Sequence, residues 1–309
     1  MRAYLIIILF ITAVAGAVAQ QNATFAQYMF NGLAINPAYA GSQGALSASF
    51  LSRFQNVGLE GAPNTQTFTA HTPLLNQRVG LGVLFIHDKL SVVGQSGFHV
   101  SYAYRLPISK GNATLSFGVQ AGGSFYNAEY SKLDLFNNPG NGTSDPAFSN
   151  DVRSVRPNIG AGVYLTTKMT YVGLSMPSMA NNVFDRGSNL QTVYQAVPMI
   201  LTAGHVFTVN RVLKLKPNFL FKLIDNRPVE YDLNLNALFD EVLWVGASFK
   251  SSKDVVTLLQ FKVNDQLQVG YTYTITNNPL RVVENGTHEF MLNYRFWFNR
   301  RGVVTPRYF

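Results

Sequence analysis

Residues 287–298 read THEFMLNYRFWF, and their alternation decides the fold. Phe290, Leu292, Tyr294, Phe296 and Phe298 fall on one parity, and Glu289, Met291, Asn293, Arg295 and Trp297 on the other. An extended chain points successive side chains to opposite faces. As a strand, this stretch therefore has one aromatic, apolar face and one largely polar face. Helical winding would mix the two sets within two turns. The pattern repeats upstream. Leu267, Val269, Tyr271, Tyr273 and Ile275 oppose Gln268, Gly270, Thr272 and Thr274; Phe98, Val100, Tyr102, Tyr104 and Leu106 oppose Gly97, His99, Ser101, Ala103 and Arg105.

Fourteen such runs are expected, near 44–54, 65–74, 78–88, 96–107, 113–127, 156–166, 169–176, 196–208, 212–224, 229–239, 242–250, 255–263, 266–276 and 287–298. Most approach the ~9–11 residues that cross a bilayer at a tilt. Bacterial single-chain outer-membrane barrels have an even strand number. The pattern is weakest at 169–176 and 196–208, where Met199, Leu201 and Ala203 compete with Ile200, Thr202 and Val206 for one face. Connections after even strands are short, such as Thr167-Lys168 and Asp240-Glu241. Those after odd strands tend to be longer, notably Ala128–Val155, Pro177–Gln195 and Asn277–Gly286. Outer-membrane barrels have short periplasmic turns and longer external loops, which puts both termini in the periplasm.

Composition agrees. Of 309 residues, 47% are hydrophobic and 13% charged, against roughly 25% charged in soluble domains. Beyond residue 19 no run reaches the ~18 apolar residues of a transmembrane helix. The expected fold class is therefore all-β: a transmembrane antiparallel up-and-down β-barrel of about fourteen strands. The chain has no Cys, which excludes disulfides, thiolate metal sites and Cys nucleophiles. The formal charge of +8 is scattered, its densest cluster being Arg300-Arg301 with Arg307. Nucleic-acid binders concentrate their charge, so no nucleic-acid partner is expected.

Arg2, the apolar run Ala3–Val14 and Ala17-Val18-Ala19 form a secretory signal peptide pattern. The expected organisation is a signal peptide at 1–19, a pre-barrel segment at 20–43, the barrel at 44–298 and a periplasmic tail at 299–309. The expected location is the bacterial outer membrane.

Lys214, Lys216 and Lys222 share one face of the ninth run, and Glu230, Asp232, Asn234 and Asn236 the matching face of the tenth. Pairing Leu223 with Val229 sets Lys222 opposite Glu230 and Leu220 opposite Asp232. The other face, with Phe219, Phe221, Tyr231, Leu233 and Leu235, suits lipid. The lumen charges either satisfy one another or select a solute.

No enzyme signature is present, and neither a cofactor nor a metal is expected. His71, His87, His99, His205 and His288 lack metal-ligand spacing, and there is no G-x-S-x-G elbow. Gly80-x-Gly82 and Gly160-x-Gly162 lie within alternating runs, where glycine relieves crowding or permits curvature. Four N-x-T sequons, beginning at Asn22, Asn112, Asn141 and Asn285, read as turn residues.

Before the first strand stand Phe25-Ala26-Gln27-Tyr28-Met29-Phe30-Asn31 and Asn36-Pro37-Ala38-Tyr39-Ala40-Gly41, and the chain ends Pro306-Arg307-Tyr308-Phe309. This arrangement resembles the PorP/SprF family, outer-membrane proteins of the Bacteroidota type IX secretion and gliding machinery. Gly32-Leu33-Ala34-Ile35 departs from the bulkier, more aromatic insert expected there. The resemblance implies a barrel that anchors a secreted surface protein or adhesin, or helps to translocate it. The implied partners are outer-membrane lipid and other periplasmic and outer-membrane secretion components. A second resemblance, to the FadL-type transporters with their N-P-A plug, implies carriage of a small hydrophobic or polar solute. This chain is shorter and its external loops more polar. The pre-barrel segment either plugs the lumen, projects as a docking surface, or simply turns into strand one. Candidate partner-binding residues are Tyr28, Phe30, Asn36, Pro37 and Tyr39 in that segment, and Arg300, Arg301, Arg307, Tyr308 and Phe309 in the tail, because aromatic and Arg residues are where binding energy concentrates.

Overall fold

Alternation along the chain is realised as a closed sheet in a computed structural model that describes residues 25–109, 112–132, 150–179, 183–184, 193–194, 197–277, 279–296 and 308. The strands are β1 Leu46–Phe54, β2 Asn64–Leu74, β3 Val79–Leu90, β4 Val93–Ile108, β5 Ala113–Ala128, β6 Val152–Thr167 and β7 Thr170–Met176. They continue with β8 Met199–His205, β9 Leu213–Leu223, β10 Glu230–Phe239, β11 Leu243–Lys250, β12 Val255–Lys262, β13 Leu267–Ile275 and β14 Thr287–Phe296. Each pairs antiparallel with its sequence neighbours, and β1 closes the circle on β14 with Phe50 opposite Leu292. Closure leaves no unpaired edge in the bilayer, where an exposed backbone group would be costly. A short ribbon pairs Val183–Phe184 with Val193–Tyr194 outside the barrel sheet.

The two faces separate as the alternation requires. In β14, Glu289, Met291 and Asn293 are buried inward while Phe290, Leu292 and Phe296 are exposed outward. In β4, His99, Ser101, Ala103 and Arg105 are buried, and Phe98, Val100, Tyr102, Tyr104 and Leu106 face out. The competition in β8 resolves with Ile200 and Thr202 buried inward. At Val206, whose amide bonds to Met169 O, β8 breaks and resumes as Phe207–Thr208. Between β9 and β10, Lys222 is opposite Glu230 and Leu220 opposite Asp232, the expected register.

The third and fourth strands extend into the 89–95 stretch expected to connect them. β3 and β4 meet through Ser91 and Val92 alone, with Ser91 at φ 52°. β4, β5 and β6 each have 16 residues, well beyond the ~9–11 a bilayer requires. The sheet rises past the membrane there because polar Ser96 and Gly94 keep the ladder going opposite His87 and Lys89, where alternation of apolar residues gives no signal. Among the described residues no helix is long and apolar enough to cross a membrane.

The signal-peptide residues, Arg300, Arg301, Arg307, Phe309, Trp297 and Phe298 lie outside the described residues.

Candidate functional site in the barrel lumen

Residues 25–45 lie inside the barrel, held by inward side chains from around its circumference. Three single-turn 3-10 helices, Tyr28–Phe30, Gly32–Ala34 and Pro37–Tyr39, make the segment compact. The third forms because Asn36 caps it, Oδ1 accepting from Ala38 N at 2.9 Å, and because Pro37 at the first helical position has its φ preset. The Asn36 amide also donates to Val163 O on β6 at 3.1 Å. Ser175 of β7 donates to Ile35 O at 2.6 Å, and Thr69 of β2 to Asn31 Oδ1 at 2.8 Å. Asn234 of β10 donates to the Tyr28 hydroxyl at 3.0 Å.

Apolar packing completes the fit. Tyr39 meets His71 and Tyr164 edge-on, at ring-centroid distances of 5.3 and 5.5 Å. Phe30 meets Trp244 of β11 at 5.7 Å. Burying side chains of this size contributes about 1.5–3 kcal/mol each, added to the hydrogen bonds that hold the segment. Room for it comes from inward glycines. A Cβ on Gly118 would lie 2.2 Å from Ala38 N, one on Gly80 2.0 Å from Ala40 O, and one on Gly162 2.2 Å from Asn36 Oδ1. Of the two roles expected for Gly80 and Gly162, relief of crowding is the one the structure displays, and the crowding group is the N-terminal segment.

The segment runs from one mouth towards the other. At its far end Glu289, three residues into β14 and so near the long-loop mouth, accepts from Ala26 N at 3.1 Å and Gln27 N at 2.9 Å. Arg53 lies 3.9 Å from the same carboxylate. The Lys222–Glu230 pair at 3.0 Å and Lys250 3.9 Å from Asp232 occupy the same half of the lumen. At the opposite, short-turn mouth, Tyr308 is buried, 8% exposed. Lys214 pairs with Glu241 and donates to the Tyr308 hydroxyl. Burial holds the Tyr308 phenol above the ordinary tyrosine range, and its hydroxyl donates to Glu241 Oε1 at 3.2 Å.

A family model described as "Type IX secretion system membrane protein PorP/SprF" matches residues 17–294. The chain belongs to this family. No curated protein matches the sequence significantly. Among solved structures, the CymD monoaromatic hydrocarbon channel is similar in fold, with a TM-score of 0.51 at 10% identity, covering 90% of this chain and 95% of that one. The Acinetobacter baumannii outer membrane protein Omp33 matches with a TM-score of 0.47 at 12% identity, covering 82% of this chain and 98% of that one.

In this PorP/SprF barrel the candidate residues divide by mouth and by depth. Tyr28, Phe30, Asn36, Pro37 and Tyr39 come together, but inside the lumen, buried against the strands. They are not displayed on a periplasmic surface, because their hydrogen bonds and ring contacts are made to β2, β6, β10 and β11. A partner could touch them only after the segment leaves. Lys214 and Lys216 sit with Tyr308; Lys222, Glu230 and Asp232 sit towards the other mouth. Residue-type patterns missed Glu289, Trp244 and Gly118 as segment-holding residues. The available signal was the inward parity of Gly80, Gly118, Gly162 and Gly173, missing side chains on β3, β5, β6 and β7. Among the described residues no cluster of three His, Asp or Glu could hold a metal.

Proposed function

We propose that this protein acts as a platform in type IX secretion, anchoring a secreted surface protein at the outer membrane or helping to translocate it, and catalyses no bond-making or bond-breaking step. The observation that carries the reading is the family match, and the packing of residues 25–43 against inward side chains supports it. The expected signal-peptide cleavage after Ala19 and a periplasmic short-turn mouth fit this reading, as does contact there with other secretion components. Cargo that docks on the barrel would meet the polar loops at the long-loop mouth, or would displace the N-terminal segment.

Solute transport of the FadL type is the competing reading, and the fold alone is compatible with it. The cavity beside Tyr28, lined also by Asn36, Tyr39, Tyr164, Tyr171 and Thr202, has a volume of about 10 Å³, room for roughly one water.

Deletion of the gene separates the two. Loss of one or a few surface proteins from the cell envelope, with solute uptake unchanged, is the expected result. An intact surface proteome together with impaired growth on a particular solute would overturn it. Whether a neighbouring gene encodes a large adhesin would identify the cargo to assay first.

A further inference from the structure

The short-turn mouth holds a side chain from the far end of the chain in unusually complete surroundings. The Lys214 ammonium stands 4.6 Å from the centre of the Tyr308 ring and also reaches its hydroxyl. That hydroxyl donates to Glu241. The Tyr308 carbonyl accepts from Lys216 Nζ at 2.7 Å. Lys216 is fully buried, 0% exposed, with its ammonium 4.8 Å from the Phe30 ring centre and 5.4 Å from that of Trp244. Lys214 thus meets ring and hydroxyl, Glu241 the hydroxyl and Lys216 the main-chain carbonyl, and all three groups project from β9 or the β10–β11 turn. Phenylalanine would lose the Glu241 contact and leucine the cation–π contact as well.

We infer that the short-turn mouth contains a tyrosine-recognition seat formed by Lys214, Lys216 and Glu241, and that its resident ligand is Tyr308 of this same chain. The seat is a built site: the buried Lys216 ammonium has a hydrogen bond to the ligand, and the half-buried Lys214 ammonium has both a hydrogen bond and a ring face. Buried charges need such partners, and Lys216 meets the requirement with groups from both ends of the sequence, the Phe30 ring and the Tyr308 carbonyl. Seating of Tyr308 is thereby coupled to the packing of the N-terminal segment. The inference stands on these contacts and does not depend on the secretion reading.

The experiment uses the full chain in detergent with Trp297→Phe, which leaves Trp244 as the reporter among the two Trp. Adding Tyr308→Ala vacates the seat without altering a strand. The expected result is a red-shifted, more quenchable Trp244 emission. A synthetic peptide of residues 302–309 added in trans then restores the original emission saturably. The same peptide carrying Tyr308→Ala binds at least about tenfold more weakly, as the loss of a buried aromatic–cation contact with its hydrogen bond requires. Heat-modifiable gel mobility confirms that the barrel is folded in each case. Unchanged Trp244 emission in Tyr308→Ala would overturn the inference. So would failure of the peptide to restore it, or equal restoration by the Tyr308→Ala or a scrambled peptide.

Discussion

Glu289→Ala is expected to destabilise the barrel by about 2–6 kcal/mol, the sum for two buried amides left without an acceptor, and to release the start of the N-terminal segment. The carboxylate is 1% exposed and accepts from the backbone of both Ala26 and Gln27. Water does not replace it readily at that depth. The substitution also removes the anion beside Arg53, whose guanidinium is itself buried; breaking such a pair from one side is costly in its own right. Glu289→Gln keeps one acceptor oxygen and the side-chain volume, so its loss should be about half as large. Urea unfolding followed by gel mobility gives the stability, and limited proteolysis near residue 25 gives the release. A Glu289→Ala protein with wild-type unfolding and a protected segment would show that these hydrogen bonds do not hold it.

Gly118→Val should evict the segment altogether. The new Cβ would sit 2.2 Å from Ala38 N, 2.4 Å from Ala38 Cα and 2.5 Å from Pro37 C. These are backbone atoms of a capped 3-10 turn, so no side-chain rotation relieves the clash. Overpacking a well-filled interior ordinarily costs about 1–3 kcal/mol; here either the turn or the strand must move. β5 is paired along its length with β4 and β6, so the segment yields. The control is Ala121→Val, on the same strand but facing outward into lipid, which should leave the lumen unchanged. Protease accessibility of residues 25–45 in folded barrels is the readout. Equal protection in Gly118→Val and Ala121→Val would contradict the packing described for Ala38.

The barrel wall was legible in the sequence because its signal is local. Period-two alternation names the faces of each strand, and pairing Leu223 with Val229 across the turn places Lys222 opposite Glu230. It failed where the wall leaves the membrane. Above the bilayer, β4 and β6 continue on backbone hydrogen bonding through residues such as Gly94 and Ser154, and no apolar face is required to show it. The lumen was only half legible. The aromatic residues of Tyr28–Tyr39 pointed to a role beyond turning into β1, yet their partners are remote in sequence: Asn36 bonds a carbonyl 127 residues away and Tyr28 an amide 206 residues away. Tyr308 belongs to the same class. Its setting depends on Lys214, 94 residues earlier, and nothing in the adjacent sequence distinguishes a free tail from one seated in the barrel.

A barrel of fourteen strands falls between the eight whose interior side chains fill and the sixteen to eighteen that enclose an aqueous channel. Its conductance therefore depends on whether its own segment stays inside. Single-channel recording in planar bilayers, comparing the intact protein with one lacking residues 25–43, tests this directly. The account predicts an intact barrel that is closed or nearly so, and a deletion that conducts steadily with little preference between anions and cations, because the lumen carries both signs. An intact protein that conducts as well as the deletion would contradict the account.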